Sequence, residues 1–355
     1  MDARLPAHRA RRAIATLAFA VLVGACTSTP SATLLPSLTP LPSTVPTTVP
    51  TAGPSATPTA APTAPPTASP AAFPATLTDD EGTQVTISAQ PTKIVSLMPG
   101  VTETLFALGV GDQLVGKAQD ILLYPPQASA VPDFEKFDNG AVAVDVEKIV
   151  AAKADLVIAG GNYGTPADTI KKIRDLGIPV LVVYAPNVNG VFSDVNLLGK
   201  AVGKPAEAQA ISAQMQGAFA AVQAAVQSGT KPKVYYEIGE GYAPADNSFT
   251  AEMITDAGGT PVTSGSTTDW SLSAEKLLKA NPDIILLADG SAVADAIKRP
   301  GWSTMTAVKN KAVAVIDDTT ISRPGPRLFL GLELLAAAIH PDVTIPQASA
   351  VPAVP

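Results

Sequence analysis

From Lys93 onward, short apolar runs alternate with stretches of helical periodicity. The runs Lys93–Met98, Gln113–Lys117, Leu156–Ala159, Pro179–Tyr184, Lys233–Ile238, Ile284–Ala288 and Ala312–Ile316 have the length and β-branched content of buried strands. Between them, Val101–Leu108, Val146–Lys153, Pro166–Leu176, Ser273–Lys279, Ala292–Lys298 and Pro326–Ile339 predict helices. Strand alternating with helix predicts an α/β fold built on parallel sheets.

Two stretches repeat one plan. Glu147-Lys-Ile-Val-Ala-Ala-Lys-Ala-Asp-Leu-Val-Ile158 and Glu275-Lys-Leu-Leu-Lys-Ala-Asn-Pro-Asp-Ile-Ile-Leu286 each open a helix with Glu-Lys, align Asp155 with Asp283, and end in an apolar strand. Their offset of 128 residues predicts two similar lobes. Between them, Pro205–Ser228 is rich in Ala and Gln, with Pro205 suited to a first turn and Gly229 to a stop. A helix of that length spans roughly 36 Å. The expected architecture is therefore two Rossmann-like α/β lobes joined by one long backbone helix, which should restrict the lobes to small hinge motions. The segments are an N-terminal lobe at 76–204, the helix at 205–229, a C-terminal lobe at 230–342, and a Pro- and Ala-rich tail at 343–355 expected to be disordered.

Upstream the pattern changes. Arg4, Arg9, Arg11 and Arg12 precede the uncharged, mostly apolar Ala13–Val23, which is too short to span a bilayer. Residues 1–25 thus read as a signal peptide. Val23-Gly24-Ala25-Cys26 resembles a bacterial lipobox, which implies diacylglyceryl transfer to the Cys26 sulfur and cleavage before it. An ordinary cut after Ala25 would instead leave Cys26 as a free thiol. Residues 27–75 carry no charge and many Pro, Thr, Ser and Ala, so this stretch is expected to be a disordered tether reaching somewhat over ~100 Å. The chain is read as extracytoplasmic, anchored to the cell membrane through Cys26, and monomeric.

Charge and composition narrow the chemistry. The formal net charge is −7, and Asp2 with the four arginines gives the export segment +3, leaving −10 without it. Such a surface disfavours nucleic acid and anionic headgroups. The single cysteine cannot form an internal disulfide. Only two histidines occur, His8 in the signal segment and His340 at the end of the last helix. A bare-metal site or a His-centred catalytic site is therefore not expected, and no Gly-x-Ser-x-Gly elbow is present. The reading is of a non-enzymatic protein without a resident cofactor or metal, although a hydrolase using carboxylates alone remains open.

In α/β folds ligands bind outside the carboxyl ends of the strands. There the first lobe offers Met98, Pro99, Tyr124, Phe137, Asn162 and Tyr163, and the second offers Gly241, Tyr242, Trp270 and Arg323. Aromatic faces suit a flat macrocycle or an aromatic chelate. Tyr124 and Tyr163 fit structural packing equally well, and Trp270 also suits lobe packing. Arg327 is expected to start the final helix and hold a structural ion pair. Thr102 can cap that lobe's first helix and Glu103 can meet its dipole.

Ile94-Val-Ser-Leu-Met-Pro-Gly-Val-Thr-Glu-Thr-Leu-Phe-Ala-Leu-Gly109, Tyr124-Pro125-Pro126, the Glu147 and Glu275 segments, Trp270 and Arg323-Pro-Gly-Pro-Arg327 follow one another in an order that resembles the class III periplasmic binding proteins of ABC importers, closest to their cobalamin-binding branch. The resemblance covers about Thr76 to Pro341. It implies capture of a metal chelate, either a corrinoid or a ferric siderophore, and delivery to a dimeric permease. Tyrosine-ligated haem is the alternative within the family, and a sensor or adhesin on the same fold is the alternative outside transport. The resemblance also implies a cleft role for Trp270, contact of Arg323 with ligand amides or carboxylates, and docking of Glu147 and Glu275 on permease arginines. Without it, both glutamates read simply as helix-start stabilisers.

Overall fold

The structure, a computed structural model, describes residues 73–348 except 121, 139–140, 162–163, 266–269 and 289–290. All of these belong to one unit, Ala64–Pro355. The signal segment, Cys26 and the tether up to residue 72 lie outside the described residues.

Alternating exposed and half-buried residues pair β1 (Ala75–Thr78) with β2 (Gln84–Ile87) as an antiparallel hairpin. Its turn is docked rather than loose. The Asp79 carboxylate accepts the Thr83 amide at 2.7 Å and pairs with Arg174 at 2.9 Å, while Asp80 accepts the Tyr184 amide at 2.6 Å.

Apolar triplets and quartets then build two sheets. The first lobe contains β3 (Ile94–Ser96), β4 (Leu114–Ala118), β5 (Asp133–Asp138), β6 (Ala141–Val144), β7 (Leu156–Ala159) and β8 (Val180–Val182), in the order β6-β5-β4-β3-β7-β8. The second contains β9 (Lys233–Glu237), β10 (Thr260–Pro261), β11 (Ile284–Leu287) and β12 (Val313–Val315), in the order β10-β9-β11-β12. The second sheet is wholly parallel, as expected; the first is parallel except for the antiparallel β5–β6 pair at its edge.

The helices are α1 (Pro99–Ala107), α2 (Val146–Ala151), α3 (Ala167–Asp175), α4 (Val188–Ala201), α5 (Pro205–Val226), α6 (Phe249–Asp256), α7 (Ala274–Ala280), α8 (Val293–Ala296), α9 (Thr306–Lys309) and α10 (Leu328–Ile339). None of these is long and apolar enough to cross a membrane. The long helix α5 begins at Pro205, whose missing N–H costs nothing in a first turn. It buries Ala208, Ile211, Met215, Phe219, Val222 and Val226, spaced three and four apart, against α4 and α10. Phe219 meets Phe192 of α4 edge to face, with centroids 5.4 Å apart.

One apolar core runs through both lobes. It joins Ile94, Leu105 and Ile158 of the first lobe to Val222 of α5 and to Val234, Tyr236, Leu286 and Leu332 of the second. Each sheet has a smaller cluster behind it, around Val157 and Ile173 in one lobe and Tyr235 and Trp302 in the other.

The tail departs from expectation. Ile345 is buried in the shared core, and the Ala348 amide donates to the buried Glu333 carboxylate at 2.7 Å. One branched apolar residue and one buried acceptor hold residues 343–348 in place despite their Pro- and Ala-rich composition.

Candidate functional site

The sequence repeat is a structural one. Asp145 caps α2 by accepting the Lys148 amide at 3.0 Å, and Ser273 caps α7 by accepting the Lys276 amide at 3.3 Å. Glu147 and Glu275 are each the second residue of their helix, and both are exposed. At the other end of each repeat an aspartate pins the first strand of its lobe. Asp155 accepts the Lys93 amide at 2.9 Å, and Asp283 accepts the Lys233 amide at 2.8 Å.

At the carboxyl ends of the strands the lobes meet along a tight seam. A Cβ on Gly100 would collide with the Pro324 carbonyl oxygen, so glycine is what lets the N-terminus of α1 touch the strap before α10. Glu103, 3% exposed, accepts the Arg327 amide at 3.1 Å and the Arg327 Nη2 at 3.0 Å across this seam. Arg327 also lies over the Tyr124 ring, 3.4 Å from its centroid. Beside them Arg323 and Asp120 form a two-bond pair, Nη1 to Oδ2 at 2.8 Å and Nη2 to Oδ1 at 2.6 Å. On the far side Glu252 of α6 accepts the Val188 amide of α4 at 2.7 Å.

Above the seam opens a cleft of about 310 Å³. Met98, Tyr184, Ala185 and Pro186 line it from the first lobe, and Asn247, Ser248, Phe249, Trp270, Ser322 and Pro324 line it from the second. Trp270 stands on a small backbone platform. The Ala243 amide donates to the Trp270 carbonyl at 2.9 Å, and the Leu272 amide donates to the Gly241 carbonyl at 2.9 Å. Underneath, buried Glu237 accepts the Gly241 amide at 3.2 Å and both bonds from Arg299 at 2.7 Å. The platform leaves Trp270 39% and Tyr242 57% exposed. Leu122, Leu123 and Phe137 are similarly exposed on strand-end segments of the first lobe.

Of the residues expected to meet a ligand, Met98 and Trp270 line the cleft, and Pro99 opens α1 next to Met98. Tyr242 shares the Trp270 platform. Phe137 is 70% exposed on β5 and is not part of the cleft wall. Tyr163 and Asn162 lie outside the described residues. One expectation is corrected, for Arg323, while Tyr124, which the sequence leaves open between cleft and packing, is found packed. Arg323 does not face the cleft as a free cation, because Asp120 takes both arms of its guanidinium. Tyr124 has one ring face covered by Arg327, which makes it part of the seam. Arg327 itself holds the expected ion pair, with Glu103. Thr102 does not cap α1; its hydroxyl donates to the Ser96 hydroxyl at 2.9 Å and lies 3.2 Å from the Met98 carbonyl.

Burial alone would raise the Asp120 carboxyl, but the Arg323 bonds and charge and the Leu122 and Tyr124 amides hold it below the usual carboxylate range. Asp194, under Met98 and Tyr184, is pushed up to about 8 by burial and then by the charge and hydrogen bond of Asp80. Burial pushes Glu135 up to about 7. Among the described residues, no group of three or more His, Cys, Asp or Glu is disposed to hold a bare metal ion.

Two α/β lobes clasping a cleft at their strand ends, with one helix as a spine, define a solute receptor. The chain belongs to the periplasmic binding protein family, whose model matches residues 94–320. It is 34% identical over 275 residues to an ABC transporter substrate-binding lipoprotein, YvrC, of Bacillus subtilis, covering 75% of this chain and 86% of that one. It is 29% identical over 278 residues to a cobalamin-binding protein of Halobacterium salinarum, covering 75% and 74%. Its fold matches the vitamin B12 binding protein BtuF of Vibrio cholerae with a TM-score of 0.63 at 24% identity, covering 70% of this chain and 97% of that one. Membership of this family makes the protein a transport receptor and not an enzyme.

Proposed function

We propose that the chain is the extracytoplasmic receptor of an ATP-driven importer for a metal chelate, with a corrinoid first and a ferric siderophore second. The observation that carries the reading is the aromatic platform. Trp270 offers a flat apolar face to the cleft, with exposed Tyr242 on the same platform, and the other walls are Met98, Tyr184, Phe249, Ala, Pro and small polar residues. Such a lining suits the organic shell of a chelate, and among the described residues it brings together no set of carboxylate, His or Cys donors for a bare ion. The cobalamin-binding relative supports a corrinoid. The test is a binding panel on the detergent-solubilised full chain, using cyanocobalamin and a ferric hydroxamate, read by absorbance and calorimetry. Tight binding of one of them is expected. Trp270→Ala should weaken it at least about tenfold, since a central aromatic contact is worth about 2 kcal/mol or more. Binding of neither compound would refute the assignment.

The same reading makes Cys26 a lipid anchor and the Pro- and Thr-rich stretch a tether that keeps a monomeric receptor near its permease at high local concentration. Cys26→Ser is expected to move the protein from the membrane fraction to the soluble extracytoplasmic fraction on cell fractionation. A variant that stays with the membrane would exclude the anchor.

A further inference from the structure

The loops that follow the parallel strands, which carry the cleft, have a one-sided charge. Among the described residues between each strand end and the next element, they contain Asp120, Glu240, Asp246, Asp317 and Asp318, against Arg323 and Arg327 as the only cationic residues. Neither arginine is available. Arg327 is held by Glu103 at the seam, and Arg323 by Asp120. Arg323 matters more, because its neighbours Ser322 and Pro324 both line the cleft. A free guanidinium there would present a planar fork suited to a carboxylate or a catecholate. Instead the Asp120 carboxylate occupies that fork from the opposite lobe, and the two side chains are only 8% and 12% exposed.

We infer that Asp120 sets the charge preference of the cleft: by closing on Arg323 it withholds a guanidinium that adjoins the cleft, so the site takes chelates of zero or positive net charge and turns away anionic ones. The inference rests on the chelate-receptor function proposed above and narrows its substrate class. Uncharged corrinoids and neutral or cationic ferric hydroxamates fit. Haem with its two propionates and ferric tris-catecholates do not, because they bring negative charge to a rim that already holds carboxylates. A pair acting only as a latch between the lobes would alter stability, and affinity for all ligands alike. A pair acting on charge alters the ratio between ligands.

The test uses the full chain with four probes: cyanocobalamin, cationic ferrioxamine B, haemin and a ferric tris-catecholate. The wild type should bind an uncharged or cationic probe at least about tenfold more tightly than either anionic one. Asp120→Asn, similar in shape but uncharged, should shift the ratio of anionic to uncharged affinity by about tenfold or more toward the anion. Adding Arg323→Gln to Asp120→Asn should remove that gain. Wild-type binding of an anionic probe as tightly as the uncharged one overturns the inference. So does a uniform change across all probes in Asp120→Asn, or a gain that survives loss of Arg323. Failure of the wild type to bind any of the four overturns the chelate-receptor reading together with this one.

Discussion

Replacing Glu103 with alanine is expected to destabilise the protein by about 3–5 kcal/mol, the usual result of removing one partner from a buried ion pair. Glu103 is 3% exposed and Arg327 is 13% exposed at the side chain, so neither end of the pair is rescued by water. The loss would be compounded. Glu103 also accepts the Arg327 backbone amide, and the Arg327 Nε is already buried without a hydrogen-bond partner. The pair further holds the guanidinium over Tyr124. Alanine would therefore leave a charge, an amide and a cavity in the seam where the two lobes touch. Glu103→Gln keeps an acceptor for the amide and should lose less. Urea denaturation of the two variants against wild type measures both values. A loss below about 1 kcal/mol for the alanine variant would show that the seam is held by other contacts.

Replacing Glu147 and Glu275 together with alanine is expected to abolish uptake in cells while leaving chelate affinity unchanged. Each glutamate is the second residue of its helix, exposed, behind a side-chain cap of its own, and each belongs to the same repeat. A receptor with two equivalent acidic points suits a permease with two equivalent subunits. If the glutamates only favoured their helix N-termini, the two changes would cost about 0.3–1 kcal/mol each and leave transport intact. Each single variant should transport at a reduced rate, because charge pairing of this kind governs orientation and encounter. Normal uptake by the double variant would remove the docking role.

The strands and helices of the shared core were legible in the sequence because burial on both faces leaves a continuous apolar run. Leu156–Ala159 was delimited to the residue for that reason. Elements at the periphery were not. Asp133–Asp138 carries four charged residues and no continuous apolar run, and its partner at the sheet edge, Ala141–Val144, is only four residues long. Helix α4 was missed although Val188, Val191, Phe192, Val195 and Leu198 carry the three-and-four spacing; Asn189 and Gly190 in its first turn masked the signal. Missing α6 in turn hid Phe249 and Ser248 from the list of cleft residues. Tyr184 and Pro186 escaped the list as well: the apolar run extends the expected strand to Tyr184, two residues past the end of β8, so the strand-end rule did not reach them. The fate of Arg323 was not legible at all. Its partner lies 203 residues away in the other lobe, and no local pattern couples them.

The apolar core that passes without a break from one lobe through α5 to the other has a kinetic meaning. A cleft framed this way exists before its ligand arrives, so little conformational freedom is lost on binding and no ordering step precedes it. Capture then proceeds at the rate of encounter, and differences in affinity between cargoes reside in how slowly each one leaves.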